Sequence, residues 1–404
     1  MTTLTDPPQG SFRLSMLIND TRYRSLTFQA IALAALIVVM AYLGMNLVAN
    51  LAAAGLDISY EFLGEPAGYD INQRPIEYDS QSTHLRAATV GILNTLIVAF
   101  LACLTATILG VFAGVLRLSN NWIVSKLMAI YVEAFRNVPV LIWIIIIFSI
   151  MTVSLPGPRS FRGDDPEASM VLGSIAFTNR GVYVPKPVWE TGSTALIFVF
   201  LLSLVAIYFY RRYARKQLYE QGNLLPVFWP SLALFFVPTI LAYFILGRPV
   251  SLEYPELKGF NFQGGIQIRG SLIALWFALA IYTGAFIAEN VRAGIQAISR
   301  GQTEAAAALG LRPGRIMNLV ILPQALRVII PPLISQYLNI TKNSSLAIAV
   351  GYMDITGTLG GITLNQTGRA IEAILLLMLF YLTISLTISA VLNIYNERVK
   401  LKER

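Results

Sequence analysis

The sequence predicts an all-α polytopic membrane protein with about eight transmembrane helices. Composition is the first reason: of 404 residues, 55% are hydrophobic and only 13% are charged, against about 25% charged in an ordinary soluble domain. The second is run length. Several apolar runs exceed the roughly 18 residues that carry a helix across a hydrocarbon core. The third is continuity. The runs lack the alternation of barrel strands, and backbone groups in lipid must be satisfied within the protein, which leaves helices.

Taken in order, the runs are 26–49, 88–116, 127–151, 194–210, 227–246, 272–291, 328–350 and 371–392. The first follows a polar leader, is long, and lacks a convincing cleavage site, so it reads as an anchor and not as a removed signal. Between the fourth and fifth runs, Arg211, Arg212, Arg215 and Lys216 form the densest basic cluster, which predicts a cytoplasmic loop. Counting outward puts both termini on that side, the first with Arg13, Arg22 and Arg24, the second with Arg398, Lys400, Lys402 and Arg404. Segments 51–86 and 153–192 then lie outside; they are polar, acidic and without strong period, and read as partner-docking surfaces or irregular spacers.

Several function classes are excluded early. Cys103 is the only cysteine and His84 the only histidine, so an internal disulfide, a His/Cys zinc site and a Cys-His nucleophile pair are not expected. Cys103 reads as a small buried hydrophobe. The net charge of +8 is dispersed among loops and ends and tracks a membrane side; it does not indicate nucleic acid. No G-x-x-x-x-G-K-[ST] phosphate loop occurs, and Gly357, Gly360 and Gly361 are followed by no Lys-Ser/Thr.

Between the sixth and seventh runs lies "RAGIQAISRGQTEAAAALGLRPGRIMNLVILPQALR", residues 292–327. Strong helix formers without a breaker predict a short helix over 302–309. Gly310 suits a left-handed stop and Pro313 the first turn of a second helix running toward Leu322. Pro323 then interrupts the pattern, and Pro331 with Pro332 marks entry to the seventh span. Ala305, Ala306, Ala307 and Ala308 make a thin face able to enter a groove on another protein. Glu304, near the helix N-terminus, favours the dipole and can meet a cationic partner. A plain helical hairpin on the membrane surface is the alternative.

Here the sequence resembles a known family. "EAAAALG" followed by "VILP" resembles the EAA loop of bacterial ABC importer permeases, with Glu304, Ala305, Ala306, Gly310, Leu322 and Pro323 on the pattern and Val320 in place of its usual isoleucine. "GILNTL", "YVEAFRNVPVLI", "YTGAFIAENVRAGI" and "LPQALRVIIPPLISQYLNITKNSSL" resemble the polar amino acid permeases. The extra first span and the two spans between the matching stretches are similar to the longer permeases of general L-amino acid importers.

That resemblance implies a transport subunit in the bacterial inner membrane that moves L-amino acids inward by alternating access around a five-helix permease core. It implies no catalytic, cofactor or metal site in this chain. ATP and Mg belong to two ATP-binding subunits, one of whose clefts takes the loop. A second homologous permease, a periplasmic amino acid-binding protein and membrane lipid complete the partners. The chain divides accordingly into 1–86 (cytoplasmic start, first span and periplasmic segment), 87–152 (first core part), 153–269 (inserted periplasmic segments and two extra spans), 270–395 (second core part, coupling loop 293–327) and 396–404 (basic tail).

Polar residues inside spans are costly toward lipid and mark other candidates. Lys342, Asn343, Ser344 and Ser345 belong either to a translocation pathway or to an internal hydrogen-bond network. Glu133 and Arg136, and again Glu289 and Arg292, are three residues apart on a helical face and read as structural or gating pairs. Pro139 is expected to bend the third span. Gly110 and Gly114 permit close helix approach. Competing classes are an ion-coupled secondary transporter, which would need no ATPase, a membrane enzyme, for which no nucleophile-base set converges, and a non-transporting scaffold, which would keep the loop without flux.

Overall fold

The computed structural model describes residues 18, 21–53, 55, 57–163 and 166–399. Arg13, Lys400, Lys402 and Arg404, used above for orientation, lie outside the described residues. The chain divides into two compact units, residues 1–62 and 63–404. The first carries helix α1 (Thr21–Ala53), free of proline and rich in Leu, Ala and Val. Its apolar side chains, from Leu33 to Val48, are exposed, the surface that a bilayer covers.

The second unit is built on α2 (His84–Leu116) and α7 (Gly270–Gln296). Thr83 caps α2 by accepting the Arg86 backbone N–H at 3.3 Å. The two helices approach through small residues. A Cβ at Gly110 would stand 2.5 Å from Ile287 Cβ, and one at Gly114 2.6 Å from the Ala288 carbonyl oxygen. Val98, Ala102, Ala106, Leu275, Leu279 and Ile287 fill the core between them, and half-buried Cys103 packs against it.

Residues 127–151 do not form one straight span. Helix α3 (Trp122–Asn137) and helix α4 (Val140–Ser154) meet at 105°. Val138 is extended, at φ −112° and ψ 132°, because the ring of Pro139 disfavours helical geometry in the residue before it. Among the described residues, seven helices are long and apolar enough to cross a membrane, or eight if this bent pair counts as one span.

The inserted helices α5 (Ser193–Gln221) and α6 (Phe228–Ile245) form a hairpin, with Phe200 and Phe235 edge to face at 5.4 Å. The segments on either side of this hairpin carry short strands, so 153–192, read from the sequence as a docking surface or an irregular spacer, is in part regular structure. β1 (Ala176–Thr178), β2 (Gly181–Val184) and β7 (Ile266–Arg269) make an antiparallel sheet in the order β1-β2-β7. β3 (Lys186–Trp189) pairs with β4 (Val250–Glu253), and β5 (Glu256–Lys258) with β6 (Asn261–Gln263). Strands of three or four residues are too short to announce a period, and the β2–β7 and β3–β4 pairings join segments far apart in the chain.

After α7 come α8 (Arg300–Ala308), α9 (Pro313–Ile316), a π-helical stretch (Met317–Ile321) and α10 (Leu322–Asn343). Pro323 does not break the chain here. The backbone widens before it, with the Leu322 N–H bonding the Met317 carbonyl five residues back, and the proline occupies the first turn of α10. Pro331 and Pro332 lie inside α10 and do not mark its entry. A tight 3₁₀ run (Ser344–Val350), a second π stretch (Thr356–Thr363), α11 (Leu364–Thr367) and α12 (Ala370–Val399) follow.

Candidate functional site

The connector between α7 and α10 presents a small helix on a rigid footing. Ser299 precedes α8 and accepts the Gln302 N–H on its carbonyl at 3.1 Å. Ala306 is buried, while Glu304, Ala305, Ala307, Ala308 and Leu309 are exposed, so one side is seated and the other is open. Glu304 falls in the second turn of α8, not the first. The helix begins two residues earlier than its composition suggested, and the dipole has faded by that point. Gly310 stops the helix at φ +76°, where its N–H and that of Leu311 bond the Ala307 and Ala306 carbonyls at 2.9 and 3.3 Å. Gln324 on α10 donates to Gln302 on α8 at 3.3 Å.

Directly behind the connector, charges tie three helices together. Glu289 on α7 accepts from Arg292 Nε at 3.1 Å and Nη2 at 2.5 Å, and from Arg117 Nη1 at the end of α2. Arg292 Nη1 reaches Gln296 at 2.5 Å. The Glu289–Arg292 pair therefore forms as its spacing suggested. The Glu133–Arg136 pair does not: Glu133 lies 3.6 Å from Arg117, and Arg136 sits over the Phe286 ring at 5.2 Å. Arg117 captures the acid because it approaches from another helix, while an aromatic face on α7 takes Arg136. Arg117, Gln296, Gln302 and Gln324 were not singled out from the sequence. The available signal was a lone Arg closing an apolar run, opposite a lone Glu closing another.

Gly294 completes this junction. A Cβ there would stand 2.4 Å from Ile329 Cγ1, so α10 lies directly on the end of α7. Gln302 thus links α8 to α10, and the Arg117–Glu289–Arg292 cluster links the end of α2 to α7.

The polar run at the other end of α10 is not a single surface. Lys342 is exposed in the last turn, Ser344 is fully buried, and Asn343 and Ser345 are intermediate. Ser344 Oγ donates to the Thr341 carbonyl at 2.7 Å and Ser345 Oγ to the Lys342 carbonyl at 2.8 Å. Beyond it, Tyr352 and Asp354 turn back into the bundle. Tyr352 OH donates to the Asn94 carbonyl at 3.0 Å, Thr95 Oγ1 accepts the Ile355 N–H at 3.1 Å, and Asp354 Oδ1 accepts the Gly357 N–H at 2.8 Å. Buried Asp354 was also missed, because it sits between apolar runs with no charged neighbour in sequence.

Among the described residues, no group of three or more His, Cys, Asp or Glu side chains is placed to hold a metal ion. Residues 218–401 match the family model of the binding-protein-dependent transport system inner membrane component. The chain is 51% identical to the glutamate/glutamine/aspartate/asparagine transport system permease protein of Rhodobacter capsulatus, over 100% of both chains. It is 43% identical to a putative amino-acid ABC transporter permease protein of Escherichia coli, over 96% of this chain and 98% of that one. It is 40% identical to the general L-amino acid transport system permease protein of Rhizobium johnstonii, over 99% of this chain and 98% of the relative.

Proposed function

Because the chain belongs to the binding-protein-dependent amino-acid permeases, the membrane subunits of ATP-driven importers, we propose that it carries L-amino acids from periplasm to cytoplasm by alternating access, driven through the α8 connector. Both termini and the connector lie in the cytoplasm in this reading. Glutamate, glutamine, aspartate and asparagine are the first cargoes to test, given the relative at 51% identity. ATP and Mg act on two separate ATP-binding subunits. A second homologous permease closes the pathway, and a periplasmic binding protein delivers the cargo.

The observation that carries the reading is the exposed face of α8, stopped at Gly310 and seated through Ala306 and Gln302. Glu304, Ala305, Ala306 and Gly310 form the docking element. Leu322 and Pro323 join it to α10. An ATPase cleft that grips α8 moves α10 directly and moves α2 and α7 through their shared charges. Glu133, Arg136, Pro139, Glu289 and Arg292 act as positioning elements at that joint. Lys342 and Asn343 face the pathway between the two permeases, while Ser344 and Ser345 hold the backbone there.

Uptake of the four labelled amino acids into proteoliposomes, with each subunit omitted in turn, tests the reading. Uptake should require ATP, the ATP-binding subunits and this chain together. Uptake that persists without the ATP-binding subunits and follows a proton or sodium gradient would overturn it.

A further inference from the structure

A cavity of about 210 Å³ opens at the end of the bundle opposite the connector. Its walls come from segments far apart in the chain: the loop before α2, the β1–β2 turn, the junction of β7 with α7, and the stretch after α10. Gly181 makes the junction possible. It sits at φ +127°, opposite Arg269 in the β2–β7 register, where a Cβ would stand 2.3 Å from the Ile268 carbonyl oxygen. Only glycine fits there. This packing puts Asn179 and Arg180, from the β1–β2 turn, on the same cavity as Arg269.

The lining has a definite chemistry. It contains two arginines, Arg180 and Arg269, and no acidic residue. Arg180 spends one N–H on the Phe260 carbonyl at 3.3 Å. Arg269 is half-buried and, among the described residues, pairs with no carboxylate. The first turn of α7, at Gly270 and Ser271, also faces this space and adds the positive end of a helix of 27 residues. Two lining side chains carry the complementary deficit: Gln73 Oε1 and Asn179 Oδ1 are buried and have no donor. A buried acceptor left unmatched is destabilising, so a donor group of a bound molecule gains by meeting it.

We propose that this cavity is an entry subsite for a free amino acid, with Arg269 and Arg180 taking a carboxylate and the Gln73 and Asn179 oxygens taking the ammonium group. The inference rests on the amino-acid reading above and assigns the inserted strands a part in receiving cargo. Guanidinium N–H groups match a carboxylate in geometry as well as in charge. The floor is firmly held, because Asn94 Nδ2 ties the Gln73 and Met353 carbonyls at 2.7 and 2.9 Å. The site thus receives a molecule released at the mouth before it passes inward.

The test is equilibrium binding of labelled L-glutamate to the assembled complex without binding protein. Arg269→Gln should weaken binding at least tenfold and Arg180→Gln several-fold. Arg269→Lys, which keeps the charge and loses the fork, should fall between wild type and Arg269→Gln, which separates charge from folding. The concentration of binding protein that half-saturates ATP hydrolysis should not change in any of them. Equal glutamate binding in wild type and Arg269→Gln overturns the proposal, as does an equal loss in the Lys and Gln variants. A shifted half-saturation with unchanged glutamate binding also overturns it and makes the cavity a docking surface for the binding protein. A wild-type complex that takes up amino acids yet binds no glutamate overturns this subsite alone. One that takes up no amino acid overturns the transport reading and the subsite together.

Discussion

Two pairs of long apolar helices lie in this molecule, and they differ in what they touch. In the most hydrophobic window of α7, 61% of residues are buried, and 33% in α2; the figures for α5 and α6 are 11% and 6%. Hydropathy barely separates the pairs, but composition does. The α2–α7 seam is made of Ala102, Ala106, Gly110, Ala278, Gly284 and Ala288, whereas α5 and α6 turn Phe198, Leu202, Phe236 and Leu241 outward. In lipid, apolar length gains a helix its place in the bilayer. Small residues at helical spacing decide whether it faces protein.

The largest effect should come from breaking the seam. Gly110→Leu forces a side chain into Ile287 and should cost about 3 kcal/mol by overpacking. Assembled complex recovered from membranes should fall several-fold; wild-type yield would show that the seam is looser than its geometry. Next comes the charge joint. Glu289→Gln leaves Arg117 and Arg292 without their shared acid, so uptake should drop about tenfold while insertion persists, since an uncompensated, partly buried charge costs about 3 kcal/mol. Glu133→Gln should stay near wild type. Its side chain is 57% exposed and its carboxylate 3.6 Å from Arg117, where pairs contribute under about 1 kcal/mol. Equal effects of the two substitutions would remove the distinction between joint and rim.

A smaller change is expected at Lys342→Ala. Initial uptake should fall a few-fold with complex yield unchanged, because the side chain is exposed and no packing is lost. Loss of yield would make Lys342 structural. Leu202→Ala on α5, at 64% exposure, should leave both uptake and yield within twofold of wild type. A marked loss there would mean that the inserted hairpin faces protein in the complex and not lipid.

The spanning helices were legible because each announces itself over many consecutive residues. The Gly310 turn and the Pro139 break were legible too, since glycine and proline act on their own backbone. What escaped depends on distance along the chain. Arg117 and Glu289 are 172 residues apart, and β2 pairs with β7 across the whole inserted hairpin. The Glu133–Arg136 reading failed because a local spacing rule cannot see a competitor arriving from another helix. Pro323 and Pro331 misled in the opposite direction. Proline ends a helix in water, but within a bundle a widened turn and neighbouring helices absorb the lost hydrogen bond.

The most direct measurement is made at Gly310, in the reconstituted complex with both permeases, the ATP-binding subunits and the binding protein. A Cβ there meets no atom within 4 Å, but valine must adopt φ +76°, so the substitution strains the turn itself. Gly310→Val should insert normally, bind the ATP-binding subunits more weakly, and lose at least tenfold in stimulated hydrolysis and amino acid flux. Glu304→Lys should lose less, and Gly310→Asn, which tolerates the left-handed conformation, should keep most of the flux. Wild-type subunit binding, hydrolysis and flux in both Gly310→Val and Glu304→Lys would contradict the assignment of α8 as the element that passes the ATPase stroke to the membrane.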